Sequence, residues 1–169
     1  APRPREAWAY AIPLRVFAAL REARITRRPR AFLFGHSAGG QFVHRLLSTQ
    51  PHDLLEAVAV GNPGWYSMPT LDTPFPAGLG GIGLGDAEVE RLLAYPLTIL
   101  AGDQDTATAD ASLPAQPAAR RGVACNWRLV PVAGIGHDGA AMSRVAAALW
   151  FERRLISAQE AGATGVVAL

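Results

Sequence analysis

The sequence contains no lysine, only one cysteine, and no apolar run long enough to span a membrane. Without lysine, the phosphate-binding loop G-x-x-x-x-G-K-[ST] is excluded. Cys125 cannot form an intrachain disulfide on its own, and no zinc-ligand spacing is present. The sequence therefore predicts no metal and no cofactor, and a fold that does not depend on an oxidising compartment.

The positive charge is supplied by arginine alone, and eight of the sixteen arginines lie within the first thirty positions. The net charge is only +2 and no nucleic-acid motif accompanies this cluster, so we interpret it as a solvated helix face. We therefore predict no nucleic-acid partner and no membrane partner. Ala1 to Tyr10 lacks the apolar segment of a signal peptide, which favours the cytoplasm without deciding the compartment.

With 169 residues, half of them hydrophobic, the chain suits one globular domain, which we place at residues 1–156 and follow with a C-terminal tail at 157–169. The continuous apolar run at Ala31–Phe34 predicts a strand buried on both faces, and Leu54–Val60 and Leu97–Ala101 are predicted as two further buried strands. Trp127–Val132 is predicted as a fourth strand. Apolar residues at helical spacing predict helices at Pro13–Arg24, Gln41–Leu47 and Ala140–Ile156, and one that Asp86 caps and Pro96 ends.

Helices between successive strands imply an α/β fold with a mostly parallel sheet of about four strands. Pro131 places the last strand at an edge, because proline removes a donor from the ladder. The apolar face of the first helix is predicted from its spacing: Ile12, Val16, Ala19 and Leu20. Asn62 to Gly85 is an irregular, lid-like loop, and Thr106 to Gly122 gives only a weak helix signal.

The hexapeptide from Gly35 to Gly40 follows the first strand and opens a helix, with the G-x-S-x-G pattern of a nucleophile elbow. Gly35 and Gly39 would let strand and helix approach each other, and Ser37 would project from the end of the strand. The backbone N–H of Ala38 could then donate to a developing oxyanion. An ordinary helix N-cap or a phosphate-binding turn would have a similar composition, so this motif alone leaves those alternatives open.

Polar side chains also follow the third and fourth strands. Asp103 and Asp105 come directly after the third strand, and His137 lies in the glycine-rich loop after the fourth. The carboxyl ends of parallel strands share one edge of a sheet, where ligands and catalytic groups collect. A serine needs a histidine to take its proton and a carboxylate to orient that histidine, which is the combination these strand ends provide.

His36, Trp65 and Tyr66 are assigned to a substrate pocket, because they lie beside the elbow or in the irregular loop. The alternative is that His36 is structural and that the two aromatic side chains plug the loop onto the core. His44 and His52 are predicted to be structural or exposed, and their spacing offers no metal site.

These motifs resemble those of α/β-hydrolases, and they are similar to bacterial esterases related to polyhydroxybutyrate depolymerases. The resemblance spans most of the chain from Ala31 to Leu149. It is carried by the segments Phe32–Phe42, Gly64–Tyr66, Leu100–Thr106 and Gly134–Ala140. It implies a three-layer fold, a triad of Ser37, His137 and Asp105 with Ala38 as oxyanion donor, and cleavage of a small or polymeric carboxylic ester. Asp103 is the fallback for the acid, or else it caps its own turn.

In such hydrolases, three or four strands and the loop that carries the second oxyanion donor come before the nucleophile strand. Here only a helix precedes Ala31. We therefore expect the first strand at an exposed sheet edge, which would offer a surface for self-association. The alternative to an esterase is a truncated or non-catalytic α/β-hydrolase-like fragment or binding module that lacks a complete oxyanion hole.

Overall fold

The computed structural model describes residues 3–106, 122 and 124–163, with residues 153–163 described for the backbone alone. Its strands are β1 (Ala31–His36), β2 (Leu55–Gly61), β3 (Leu97–Gly102) and β4 (Arg128–Val132). Its α-helices are α1 (Ile12–Glu22), α2 (Ala38–Thr49), α3 (Asp86–Ala94) and α4 (Gly139–Ala163). The four strands form one parallel sheet in the order β1-β2-β3-β4, which confirms the predicted α/β fold.

Alternating side chains of the strands divide the core into two layers, one on each face of the sheet. Val58, Val60 and Ile99 pack with buried residues of α2 and α3 on one face. Ala59 and Leu100 pack with Met142 and Ala146 of α4 on the other. Helices therefore cover both faces, as the predicted three-layer arrangement requires.

The outer strands are β1 and β4, and both edge positions follow the predictions. Pro131 lies in β4, which pairs with β3 alone among the described strands. Residues 31–34 of β1 are half-buried rather than fully buried, whereas most of β2 is fully buried between its two neighbours. The position of β1 at the edge of the sheet therefore explains why its apolar residues are less buried than those of β2.

The predicted apolar face of α1 is wrong. Ile12 and Val16 are 47% and 53% exposed, while Ala11 is buried and Leu14 packs against the core. At 100° per residue, Ile12 and Val16 lie on the far side of the helix from Ala11 and Leu14. Helical spacing was correct, but which side faces the core depends on tertiary packing.

Two helix ends also differ from the predictions. Asp86 does not cap α3: it is the first helical residue, and the N-cap is Gly85, whose N–H donates to Glu88 Oε2 at 2.9 Å. The last helix continues to Ala163, past the predicted end at Ile156. The remaining tail residues, 164–169, and nearly all of the weak helix signal, at 107–121, lie outside the described residues.

Candidate active site

Ser37 occupies a one-residue turn between β1, which ends at His36, and α2, which begins at Ala38. Its backbone has φ 53° and ψ −121°, a conformation that a residue with a side chain rarely adopts. Two backbone hydrogen bonds hold it: the Ser37 N–H donates to Gly61 O at 2.9 Å, and the Gln41 N–H donates to Ser37 O at 3.0 Å. Such strain costs about 1–3 kcal/mol and is concentrated at functional sites.

Glycines permit the tight crossing of β1 and α2, but not the pair that was predicted. A Cβ on Gly35 would lie 2.2 Å from the Gly39 carbonyl oxygen, so no side chain fits there. A Cβ on Gly40 would lie 3.2 Å from the Gly35 carbonyl oxygen, whereas one on Gly39 would meet nothing within 4 Å. The requirement predicted for Gly39 is therefore wrong, because that residue faces solvent and Gly40 faces the strand.

His137 and Asp105 are brought together from loops 32 residues apart in sequence. The distance between His137 Nδ1 and Asp105 Oδ2 is 2.6 Å, with the carboxylate side chain 3% exposed and the imidazole 45% exposed. A short contact to a shielded carboxylate fixes the ring and leaves its other nitrogen, Nε2, available for a proton. The acid in contact with His137 is thus Asp105.

Asp103 has a different role from either that was predicted. Its Oδ1 accepts a hydrogen bond from the Gly134 N–H at 2.8 Å, so it holds the loop between β4 and α4 rather than capping its own turn. The Gln104 N–H donates to Ile135 O in the same loop at 3.1 Å. Together these bonds tie the loop that carries His137 to the end of β3.

Asp138 fixes the other side of this loop, at the start of α4. Its Oδ1 accepts hydrogen bonds from the N–H groups of Ala140 and Ala141, at 2.9 and 3.0 Å. These bonds, the one from Ala141 first, hold the pKa of Asp138 below its usual range. His137 is therefore held between a capped helix and a loop anchored to the sheet.

His36 lies against His137, with ring centroids 4.6 Å apart. Burial, and next the nearby His137, lower the pKa of His36, against the opposing effect of Asp105 and Asp138. Burial therefore favours the neutral form of the His36 ring, which lies beside His137. Within the described residues no hydrogen bond joins the Ser37 hydroxyl to His137, so that contact of the triad stays a prediction.

Trp65 and Tyr66 lie in different environments although they are neighbours in sequence. Trp65 is 37% exposed, and the Arg45 guanidinium lies 4.3 Å from its ring centroid. Tyr66 is buried in the core, with its ring edge-on to that of His44 at 5.5 Å. Tyr66 thus fits the alternative in which an aromatic side chain plugs the loop onto the core, and Trp65 is the one that solvent reaches.

Asn62 was missed as a functional candidate. It follows β2 directly, is fully buried, and bonds both to β3 and to the loop that carries His137. An asparagine immediately after a buried strand, at the end where ligands collect, was the available signal.

Among the described residues, no three His, Cys, Asp or Glu side chains are grouped to hold a metal, and no described helix has the length and hydropathy to cross a bilayer.

Solved structures resemble this chain closely. A poly(3-hydroxybutyrate) depolymerase from Bordetella parapertussis is 46% identical over 89% of this chain, with a TM-score of 0.83. The chain has the parallel sheet and flanking helices of the α/β-hydrolase fold. A poly(aspartic acid) hydrolase from Sphingomonas sp. KT-1 is 30% identical over 86% of the chain, with a TM-score of 0.78. The fold also resembles a fluorophosphonate-binding serine hydrolase from Staphylococcus aureus, which is 19% identical over 82% of the chain and covered to 62% of its own length, with a TM-score of 0.53.

The chain spans 59% of the length of the depolymerase and 64% of that of the poly(aspartic acid) hydrolase. No family model and no curated protein matches it. The similarity therefore covers most of this chain but only part of each relative.

Proposed function

We propose that this chain carries the catalytic residues of a serine hydrolase that cleaves carboxylic esters. Ser37 is the nucleophile, His137 the general base and acid, and Asp105 the residue that orients His137. The Ala38 N–H, at the start of α2, donates to the oxyanion. The observation that carries the proposal is the 2.6 Å contact between His137 Nδ1 and Asp105 Oδ2, at the same edge of the sheet as the strained Ser37.

The reaction follows from which atoms are free. Ser37 Oγ attacks the ester carbonyl carbon while its proton passes to His137 Nε2, since Nδ1 is engaged by Asp105. The oxyanion of the tetrahedral intermediate accepts a hydrogen bond from the Ala38 N–H. The alcohol then leaves with the proton from Nε2. A water molecule then attacks the acyl-enzyme and gives a proton to Nε2. As the second tetrahedral intermediate collapses, Nε2 returns that proton to Ser37 Oγ, and the carboxylic acid is released.

A polyester is the substrate class to test first. The relative that is 46% identical is a poly(3-hydroxybutyrate) depolymerase, and the other close relative acts on poly(aspartic acid), whose backbone differs. The exposed Trp65, backed by the Arg45 cation, offers a surface for an extended chain near the elbow, because Gly64 packs on Gln41 of α2.

The coverage of the relatives supports a second candidate, in which the chain alone is an incomplete or non-catalytic unit. A fluorophosphonate probe separates the two, because it reacts only with an activated serine. We expect labelling of Ser37 that is lost in Ser37→Ala, together with hydrolysis of 3-hydroxybutyrate oligomers that the same substitution abolishes. A folded wild-type chain that is neither labelled nor active would favour the incomplete unit.

A further inference from the structure

The buried amide of Asn62 joins two neighbouring loops of the site. Its Nδ2 donates to Gly136 O at 2.9 Å, and its Oδ1 accepts the Gly102 N–H at 2.9 Å. Gly136 directly precedes His137, and Gly102 is the last residue of β3. One side chain therefore connects the end of β3 to the residue before the histidine.

The same segment of backbone also reaches the nucleophile. Gly61 O accepts the Ser37 N–H at 2.9 Å, and the Asn62 N–H donates to Leu100 O in β3 at 3.0 Å. The dipeptide Gly61-Asn62 thus touches the elbow on one side and the histidine loop on the other.

Asparagine suits this position for two reasons. Its φ is +45°, a left-handed conformation that asparagine adopts more readily than most residues. Its amide supplies a donor and an acceptor on one short side chain, which satisfies the buried Gly102 N–H and the partly buried Gly136 carbonyl. Loss of that amide would leave the Gly102 N–H and the Gly136 carbonyl without this partner. Both groups lie at the candidate site, so the loss of these hydrogen bonds would act there.

We infer that Asn62 is a positioning residue, which fixes the loop carrying His137 relative to the elbow carrying Ser37. The inference rests on the proposed serine-hydrolase function. It concerns geometry rather than substrate binding, because the Asn62 side chain is fully buried and cannot touch a substrate.

Two substitutions separate the functions of the amide. Asn62→Gly removes both side-chain bonds and keeps the left-handed backbone without strain. Asn62→Asp keeps the acceptor for the Gly102 N–H and loses the donor to Gly136 O. We expect both to lower kcat and the rate of fluorophosphonate labelling by about 10- to 100-fold with KM unchanged, the usual loss when a residue supporting a catalytic group is removed.

Asn126 provides a matched control, because its Nδ2 donates to Ala94 O at 2.7 Å on the exposed surface, away from the site. Asn126→Asp and Asn126→Gly should leave kcat and the labelling rate within about twofold of wild type. If Asn62→Gly does not fold, Asn62→Asp carries the test, since it is nearly identical in shape.

Hydrogen exchange gives a readout that does not require activity. The Gln104 N–H bonds to Ile135 O in the histidine loop but not to Asn62, so its protection reports how firmly that loop is docked. We expect its protection to fall about tenfold or more in both Asn62 variants and to stay unchanged in the Asn126 variants.

Each outcome decides one claim. A wild-type chain that the probe does not label contradicts the proposed function, and the exchange of Gln104 then decides whether Asn62 anchors the loop. A labelled wild type with Asn62 variants that retain full kcat overturns the inference. So does a loss of kcat in variants whose Gln104 protection is unchanged, because the loop would then be docked without Asn62.

Discussion

His137 and His44 are the same residue type in two regions of the molecule, and their surroundings give them opposite properties. His137 is 45% exposed and contacts Asp105, at the edge of the sheet where the strands end. His44, in α2, is fully buried between the rings of Tyr66 and Trp127, and neither of its nitrogens has a hydrogen-bond partner among the described residues. One histidine is placed to exchange protons, and the other is packed as an apolar ring.

The comparison extends to the two regions as a whole. At the strand ends, His137 is paired with Asp105 and is half exposed, so its substitution should change activity with little loss of stability. Between the sheet and α2, side chains are enclosed, so substitutions should cost stability at any pH at which the protein is assayed.

The largest effect is expected for His137→Gln. Removal of the general base should lower kcat by on the order of 10⁶-fold, while the free energy of unfolding changes by less than about 1 kcal/mol because the ring is half exposed. Ester hydrolysis and urea denaturation measure the two quantities. His52→Gln is the control: His52 Nε2 bonds to Leu47 O at 2.7 Å, away from the strand ends, and the variant should keep its activity. A His137→Gln enzyme with near-normal kcat would remove His137 from the mechanism.

The next effect separates the two carboxylates of the same turn. Asp105→Asn should lower kcat by about 10⁴-fold, because an amide no longer holds the imidazole in the right tautomer. Asp103→Asn should lower it by less than about tenfold, since its oxygen can still accept the Gly134 N–H. Steady-state kinetics of the two variants on one ester measure the difference. Equal losses of kcat in the two variants would mean that activity depends on anchoring of the loop that carries His137, rather than on the contact between Asp105 and His137.

Tyr66 and Trp65 test the boundary between the regions within one loop. Tyr66→Ala should lower the free energy of unfolding by about 3 kcal/mol, since it leaves a cavity in the core beside His44. Trp65→Ala should cost less than about 1 kcal/mol and raise KM, because its exposed ring is proposed to contact substrate. Denaturation curves and KM for 3-hydroxybutyrate oligomers provide the measurements. A destabilised Trp65→Ala with unchanged KM would assign Trp65 to the core as well.

Much of the fold could be predicted because its signals are local. Continuous apolar runs gave the parallel strands, and Pro131 alone gave an edge position. The exposed face of α1 could not be predicted in the same way, because Ile12 and Leu14 are equally apolar and only packing chooses between them. Spacing identifies a helix, whereas its orientation is a tertiary property.

The site was predictable to a similar extent. Each motif sits at the end of its own strand, so the order of Ser37, Asp105 and His137 was visible in the sequence, and the structure then brought Asp105 and His137 into contact. The roles of Asn62 and Asp103 were not visible, because each bonds to backbone that lies 31 or more residues away. A bond to a backbone group leaves no pattern at the partner position.

The last effect is a pH dependence of stability that arises from His44. Burial, and to a smaller extent the charge of Arg45, lower the pKa of His44 to about 4 in the folded protein, against about 6.5 when it is unfolded. Between these values only the unfolded chain binds the proton, so the free energy of unfolding falls as the pH drops from 6.5 to 4, by about 3 kcal/mol in all. Above pH 6.5 His44 contributes no such dependence.

The His44→Phe variant lacks the titrating group. Between pH 7 and pH 4, its free energy of unfolding should therefore fall by about 3 kcal/mol less than that of the wild type. Because each variant is compared with itself in urea at the two pH values, any fixed packing cost of the larger ring cancels. Equal acid sensitivity in both proteins would mean that folding does not lower the pKa of His44.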